Sequence, residues 1–212
     1  MKADLAVLFD LDGTLADTAP DLAAALNKLR SDQGLEPLAL ERVRPFASAG
    51  ARGLVHVGFG IKPGEAEYAS LREAFLEAYG ERTCVHTRLF PGIAELLQEL
   101  ARRSIAWGLV TNKSTRFTER IVTALGLTPD CVVCGDTTPH LKPNPASLLH
   151  AANELALAPR DCVYLGDDLR DIQAARSAGM RCVAVEWGYG KGLHGWNADA
   201  VIARPADLIE WL

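Results

Sequence analysis

Leu5-Ala6-Val7-Leu8-Phe9-Asp10-Leu11-Asp12-Gly13-Thr14 is the stretch that decides how this chain is read. Its first five residues are continuously apolar and run into turn-forming residues. That pattern predicts a strand of a parallel sheet buried on both faces, since a half-exposed strand would alternate apolar and polar positions. Asp10 and Asp12 then fall at the carboxyl end of the strand, and Gly13 supplies a bend. Two carboxylates this close repel each other, and desolvation raises the cost. Such a pair points to a cation, or to a phosphoryl-transfer step, that needs both.

The same signal recurs downstream. Ile105-Ala106-Trp107-Gly108-Leu109-Val110 runs into Thr111-Asn112, and Cys162-Val163-Tyr164-Leu165 runs into Gly166-Asp167-Asp168 with Asp171 beyond. Lys142-Pro143-Asn144-Pro145 lies between them, with proline where a helix is expected to begin. Further strands are predicted at Arg181–Val185 and Ala200–Ile202. Helical spacing appears in Ile93/Leu96/Leu97/Leu100, Phe117/Ile121/Leu125, Leu148/Leu149/Ala152/Leu155 and from Leu169 to Ala178 before Gly179, and Leu208-Ile209 with Trp211 suggest a short closing helix. This alternation from residue 89 onward is that of repeated strand–helix units in a parallel sheet. Ligands bind at the carboxyl ends of such strands, so Asp10/Asp12, Thr111/Asn112 and Asp167/Asp171 are expected at one crevice with Lys142 nearby.

Residues 17–88 read differently. They carry only helical patterns: Leu22/Leu26/Leu29 before Gly34, Leu54/Val55/Phe59, and Tyr68/Leu71/Phe75/Tyr79 before Gly80. A second, smaller helical domain is therefore expected there, inserted into a core formed by residues 1–16 and 89–212. The crossings would lie near Ala16-Asp17 and Arg88-Leu89.

Composition narrows the classes. The 212 residues are 49% hydrophobic and 23% charged with a net charge of −5, which is ordinary for a globular protein and gives no basic face for nucleic acid or anionic lipid. No stretch approaches the roughly 18 apolar residues of a membrane span. Met1-Lys2-Ala3-Asp4 leads straight into the first strand, so no signal peptide and a cytoplasmic location are expected. The five cysteines agree: Cys131, Cys162 and Cys182 sit within apolar runs and read as buried thiols of a reducing compartment. Cys131-Val132-Val133-Cys134 has C-x-x-C spacing, but no second pair follows it as a zinc site would require. The histidines show no ligand spacing.

Asp10-x-Asp12-Gly13-Thr14, then Thr111, then Lys142-Pro143, then Gly166-Asp167-Asp168-x-x-Asp171 together resemble the haloacid dehalogenase-like superfamily of phosphohydrolases. The resemblance spans nearly the whole chain. It implies an α/β fold with a Rossmann-like parallel sheet, helices on both faces, and an all-helical cap inserted after the first motif. Within that superfamily, Gly50-Ala51-Arg52 resembles the cap substrate loop of phosphoglycolate-phosphatase-like members. Val110-Thr111-Asn112-Lys113, Gly166-Asp167-Asp168-Leu169-Arg170-Asp171 and Gly195-Trp196-Asn197-Ala198-Asp199 resemble the N-acetylmuramic acid 6-phosphate phosphatases of cell-wall recycling. Both substrate readings stay open, as does a monomer or a homodimer.

The resemblance implies a chemistry that these residue types suit. Asp10 suits a nucleophile that forms an aspartyl-phosphate. A carboxylate approaches a phosphate dianion only with help, and Mg2+ supplies it by bridging carboxylate and phosphate oxygens. Asp10, Asp167 and the Asp12 backbone carbonyl are the expected ligands. The Asp12 side chain is then free to protonate the leaving oxygen and later to activate water. Thr111, Asn112 and Lys142 are expected on the phosphate, Asp171 around the metal or Lys142, and Arg52 on a substrate anion. Asp168 reads as an acidic residue favoured at a helix start. A phosphosugar mutase is the alternative enzyme, though such mutases usually carry a histidine where this chain has Leu22. A non-enzymic protein that kept the fold would be marked by loss of Asp10 or Asp12.

Overall fold

The computed structural model describes residues 4–212; Met1–Ala3, read above as the lead into the first strand, lie outside the described residues. In chain order the elements are β1 (Ala6–Phe9), β2 (Ala16–Asp17), α1 (Ala19–Asp32), α2 (Leu40–Val43), a 3-10 segment at Arg44–Ala49, α3 (Gly50–Phe59) and α4 (Tyr68–Glu81). Then follow β3 (Arg88–Leu89), α5 (Ile93–Arg102), β4 (Ala106–Val110), α6 (Thr115–Ala124), β5 (Cys131–Val133) and α7 (Ala146–Glu154). The chain closes with β6 (Cys162–Gly166), α8 (Leu169–Ala178), β7 (Arg181–Val185), β8 (Ala200–Ile202) and α9 (Asp207–Trp211).

Six strands form one parallel sheet in the order β5-β4-β1-β6-β7-β8. Renumbered without the small β2–β3 pair, this is the 3-2-1-4-5-6 order of the Rossmann fold. The first strand is central, and all four of its residues are buried, which is why its sequence is continuously apolar. Side-chain alternation divides the core between the two faces. Val7, Phe9, Leu109, Val163 and Val183 pack with Leu96 and Leu100 of α5, Ile121 of α6 and Leu208 of α9. Ala6, Leu8, Val133, Tyr164 and Cys182 pack with Leu148 of α7 and Ile172 of α8 on the other.

Helices α1–α4 are inserted between β2 and β3. These two strands pair antiparallel, Ala16 with Leu89 and Asp17 with Arg88, so the chain leaves and re-enters the sheet domain side by side. The pair is reinforced by Asp21 of α1. Its buried carboxylate accepts the backbone N–H of His86 at 2.9 Å and of Thr87 at 2.8 Å, and the Thr87 hydroxyl at 2.7 Å.

Two local expectations are corrected. Gly80 does not stop α4, which continues to Glu81, because neighbouring Ala78 and Tyr79 are buried and tertiary packing overrides the weak helix propensity of glycine. Lys142 does not start a helix either; α7 begins at Ala146 with Pro145 as its N-cap residue. The cysteines are all free thiols: Cys84 is half-buried, and Cys131, Cys134, Cys162 and Cys182 are buried. Burial pushes the Cys131 thiol up to about 12 and Cys162 to about 11. Among the described residues no helix is long and apolar enough to cross a membrane.

Candidate active site

Strand β1 delivers Asp10 to the carboxyl rim of the sheet, where Lys142 and the residues after β4 and β6 converge. Carboxylate oxygens of Asp10, Asp167 and Asp171 lie within 4.8 Å of one another, and all three residues are buried. Gly13 makes this approach possible. Its φ is +89°, and a Cβ there would lie 2.2 Å from Asp167 Oδ2, so only glycine fits both the turn and the contact.

Lys142 links two of the three acids. Its Nζ lies 2.8 Å from Asp10 Oδ1 and 2.8 Å from Asp171 Oδ1, and it donates to the Tyr164 hydroxyl at 2.6 Å and the Val110 carbonyl at 3.0 Å. Burial opposes its charge, yet Asp10 and Asp171 hold it above its ordinary value. Burial pushes the Asp10 carboxyl up to about 6, helped by Asp171 and Asp12 and opposed by Lys142. Asp167 is driven well above its usual range by burial, then by Asp10 and Asp171. Three close carboxylates, of which Lys142 bonds two, gather negative charge in a desolvated site. A hard divalent cation answers that charge, and oxygen donors are the ligands such a cation takes.

The remaining bonds of these acids are specific. Asp167 accepts the Thr14 hydroxyl on Oδ1 at 3.2 Å, and the Ser48 hydroxyl at 3.1 Å and Tyr189 N–H at 2.9 Å on Oδ2. Asp171 Oδ2 accepts the Asp168 N–H at 3.1 Å, completing a reciprocal cap at the start of α8. Asp168 is the N-cap residue of α8, at the helix start, and it also pairs with Arg170 at 2.8 Å.

The Asp12 carboxylate has other partners. Its Oδ1 accepts the Thr18 hydroxyl and pairs with Lys113 Nζ at 2.8 Å. Lys113, given no role in the sequence, reaches across from the loop after β4 and lies 5.0 Å from the Tyr79 ring centroid of α4. Burial opposes the Lys113 charge, but Asp12 and Tyr79 keep its pKa above the ordinary lysine value.

Thr111 is buried, and its Oγ1 accepts the Lys113 N–H at 3.1 Å. Asn112, expected on phosphate, is committed elsewhere. Its amide nitrogen donates to the Lys142 carbonyl at 3.0 Å and its oxygen accepts the Lys142 N–H at 2.9 Å, so it fixes the backbone that carries Lys142.

A cavity of about 490 Å³ opens over Asp10, Asp12, Thr111 and Lys142. Its far wall comes from the inserted helices: Leu22 of α1, Ser48, Arg52 of α3, and Tyr68, Arg72, Phe75 and Tyr79 of α4. The two sides already touch. Ser48 meets Asp167, and Arg170 donates to the Ser48 carbonyl at 2.7 Å. Sequence reasoning missed Ser48, Lys113, Tyr164 and Tyr189. Only Tyr189 left a signal, as an aromatic between glycines in Trp187-Gly188-Tyr189-Gly190 after a strand.

A buried acid cluster beside an open cavity, at the switch point of a parallel sheet, is where this class of fold binds its ligands. The chain belongs to the haloacid dehalogenase-like hydrolase family, which it matches over residues 7–185. It is 41% identical to the N-acetylmuramic acid 6-phosphate phosphatase of Pseudomonas aeruginosa, across 98% of this chain and 94% of that one. It is also 41% identical to a phosphoglycolate phosphatase of Xanthomonas campestris pv. campestris, across 99% and 97%. Among solved structures, a protein described as a predicted phosphoglycolate phosphatase from Haemophilus somnus superposes with a TM-score of 0.86 at 29% identity, covering 100% of this chain and 98% of that one.

Proposed function

We propose that the chain is a Mg2+-dependent phosphatase of a small phosphorylated metabolite, with residues 17–88 as a helical cap over a catalytic core of residues 1–16 and 89–212. The observation that carries this reading is the buried Asp10–Asp167–Asp171 cluster, with Lys142 bonded to Asp10 and Asp171 and the Asp12 carboxylate held separately by Thr18 and Lys113. Asp10, Asp167 and the Asp12 carbonyl would hold Mg2+, which neutralises phosphate charge when bound. Both Asp171 oxygens already serve Lys142 and the α8 cap, which favours an outer role for it.

An Asp10 oxygen attacks phosphorus as the ester P–O bond breaks, and the leaving alkoxide takes a proton from the Asp12 carboxyl. A water then gives a proton to the Asp12 carboxylate and attacks the aspartyl-phosphate, releasing phosphate and restoring Asp10. The Thr111 hydroxyl retains its own proton for a phosphate oxygen, since its known bond is one it accepts. Lys142 has more partners than its three donors can serve at full strength, so it reaches phosphate by exchanging one of them.

The cavity favours N-acetylmuramic acid 6-phosphate over 2-phosphoglycolate. At about 490 Å³ it falls in the ~300–1,000 Å³ range that encloses ligands of drug size, and a two-carbon acid would leave much of it to water. Phosphate release from both compounds, measured side by side with Mg2+, tests this. A higher kcat/KM on the amino-sugar phosphate is expected. The reverse order would move the assignment to phosphoglycolate, and no release from any ester in a broad panel would end the phosphatase reading.

Two variants probe the roles separately. Asp12→Asn keeps the backbone carbonyl and the nucleophile, so Mg2+ affinity should persist while turnover falls by about a hundredfold or more. Loss of affinity equal to that of Asp167→Ala would make the Asp12 side chain a ligand instead. Arg52→Ala should lower kcat/KM on the true substrate by roughly tenfold to a hundredfold, the worth of one charge-assisted contact. Hydrolysis of a plain aryl phosphate should barely change; equal losses on both would assign Arg52 a structural role.

A further inference from the structure

We infer that Tyr189 is a positioning residue that couples the first chain crossing to the acidic centre; this rests on reading Asp167 as a metal carboxylate and α1–α4 as a cap. Tyr189 lies in the loop after β7 and is buried. Its hydroxyl accepts the backbone N–H groups of Thr18 at 2.8 Å and Ala19 at 3.0 Å, and donates to Asp17 Oδ1 at 2.8 Å. These N–H groups sit at the start of α1, where unpartnered donors need an acceptor. Thr18 is the N-cap residue, yet its side chain makes no capping bond and is committed to Asp12. The acceptor comes instead from a tyrosine on the opposite domain.

The same residue holds the other side. Its backbone N–H donates to Asp167 Oδ2 at 2.9 Å. The flanking glycines press the loop onto Asp167: a Cβ at Gly188 would lie 2.3 Å from the Asp167 Cβ, and one at Gly190 would lie 1.9 Å from its carbonyl oxygen. The ring packs 6.2 Å from Phe90, just after β3, and 5.6 Å from the Arg44 guanidinium, which itself pairs with Asp17 at 2.8 Å. Both chain crossings therefore bear on one ring. Movement at the start of α1 pulls on the hydroxyl, and the loop that yields is the one seating Asp167. By reciprocity, a cation that fixes Asp167 must also steady the start of α1.

Tyr189→Phe removes the hydroxyl and leaves the ring and the backbone N–H. Mg2+ binding is measured by calorimetry, and hydrogen exchange of the Thr18 and Ala19 amides is followed with and without saturating Mg2+. In the unmodified protein Mg2+ should slow that exchange by about fivefold or more, the lower end of measured site-to-site coupling. In Tyr189→Phe the amides should exchange faster, and the Mg2+ effect should vanish while Mg2+ still binds. A lower melting temperature with the Mg2+ effect intact would mean that the hydroxyl serves folding alone and would overturn the inference. Binding heat with unchanged exchange in the unmodified protein would also overturn it, and it alone. Absence of binding heat would remove the metal reading of Asp167 and this inference with it.

Discussion

Asp10→Asn is expected to reduce phosphate release by on the order of a thousandfold or more, the scale on which removing a covalent nucleophile acts. An amide is a poor nucleophile and a weaker ligand for a hard cation. The fold should not suffer. Asp10 is a buried carboxyl that burial and two neighbouring acids push up to about 6, so a neutral group of the same shape relieves repulsion. It also leaves Lys142 with Asp171, Tyr164 and Val110 as partners. Steady-state phosphate release with a melting curve on the same sample checks both halves. Activity within tenfold of the unmodified protein would end the nucleophile assignment.

Lys142→Ala should be the most damaging change to stability. It removes the ammonium bonded to Asp10 and Asp171 and strips the Tyr164 hydroxyl of its charged partner. Breaking a buried ion pair from one side costs about 3–5 kcal/mol. At about 2–4 °C per kcal/mol for a chain this long, the melting temperature should fall by roughly 6–20 °C. Turnover should be lost as well. Because the cost is uncompensated negative charge, millimolar Mg2+ should restore part of the lost stability in the variant. An unchanged melting temperature would show that these acids are neutral without Lys142, contrary to the ion-pair geometry.

The sheet was legible because its strands are buried on both faces, which leaves short, unbroken apolar runs such as Leu5–Phe9 and Cys162–Leu165. The strand ends then located Asp10, Thr111 and Asp167 on one rim without further information. The strands at the expected crossings, Ala16-Asp17 and Arg88-Leu89, were harder to see as strands. Strands β2 and β3 are two residues each and carry no period; they exist because Ala16 and Leu89 pair across the sequence. Gly80 misled because propensity is a weak prior beside a buried Tyr79.

In the site, what escaped notice were contacts between residues distant in sequence. Ser48 meets Asp167 across 119 positions and the Tyr189 hydroxyl meets Thr18 across 171. Asn112 follows a strand end, as a phosphate ligand would, and nothing local reveals that its amide will face the backbone of Lys142. Tyr164 is hidden in an apolar run, where its ring reads as core while its hydroxyl donates to Val110 at 2.7 Å and receives Lys142.

The most direct test of the account is to acid-quench the enzyme during turnover with Mg2+ and N-acetylmuramic acid 6-phosphate, digest it, and locate any phosphoryl group by mass spectrometry. A phosphoryl group is expected on the peptide that contains Asp10, formed within the first turnover and absent from Asp10→Asn. Phosphate release with no phospho-enzyme at any quench time, or a phosphoryl group on a residue other than Asp10, would contradict it.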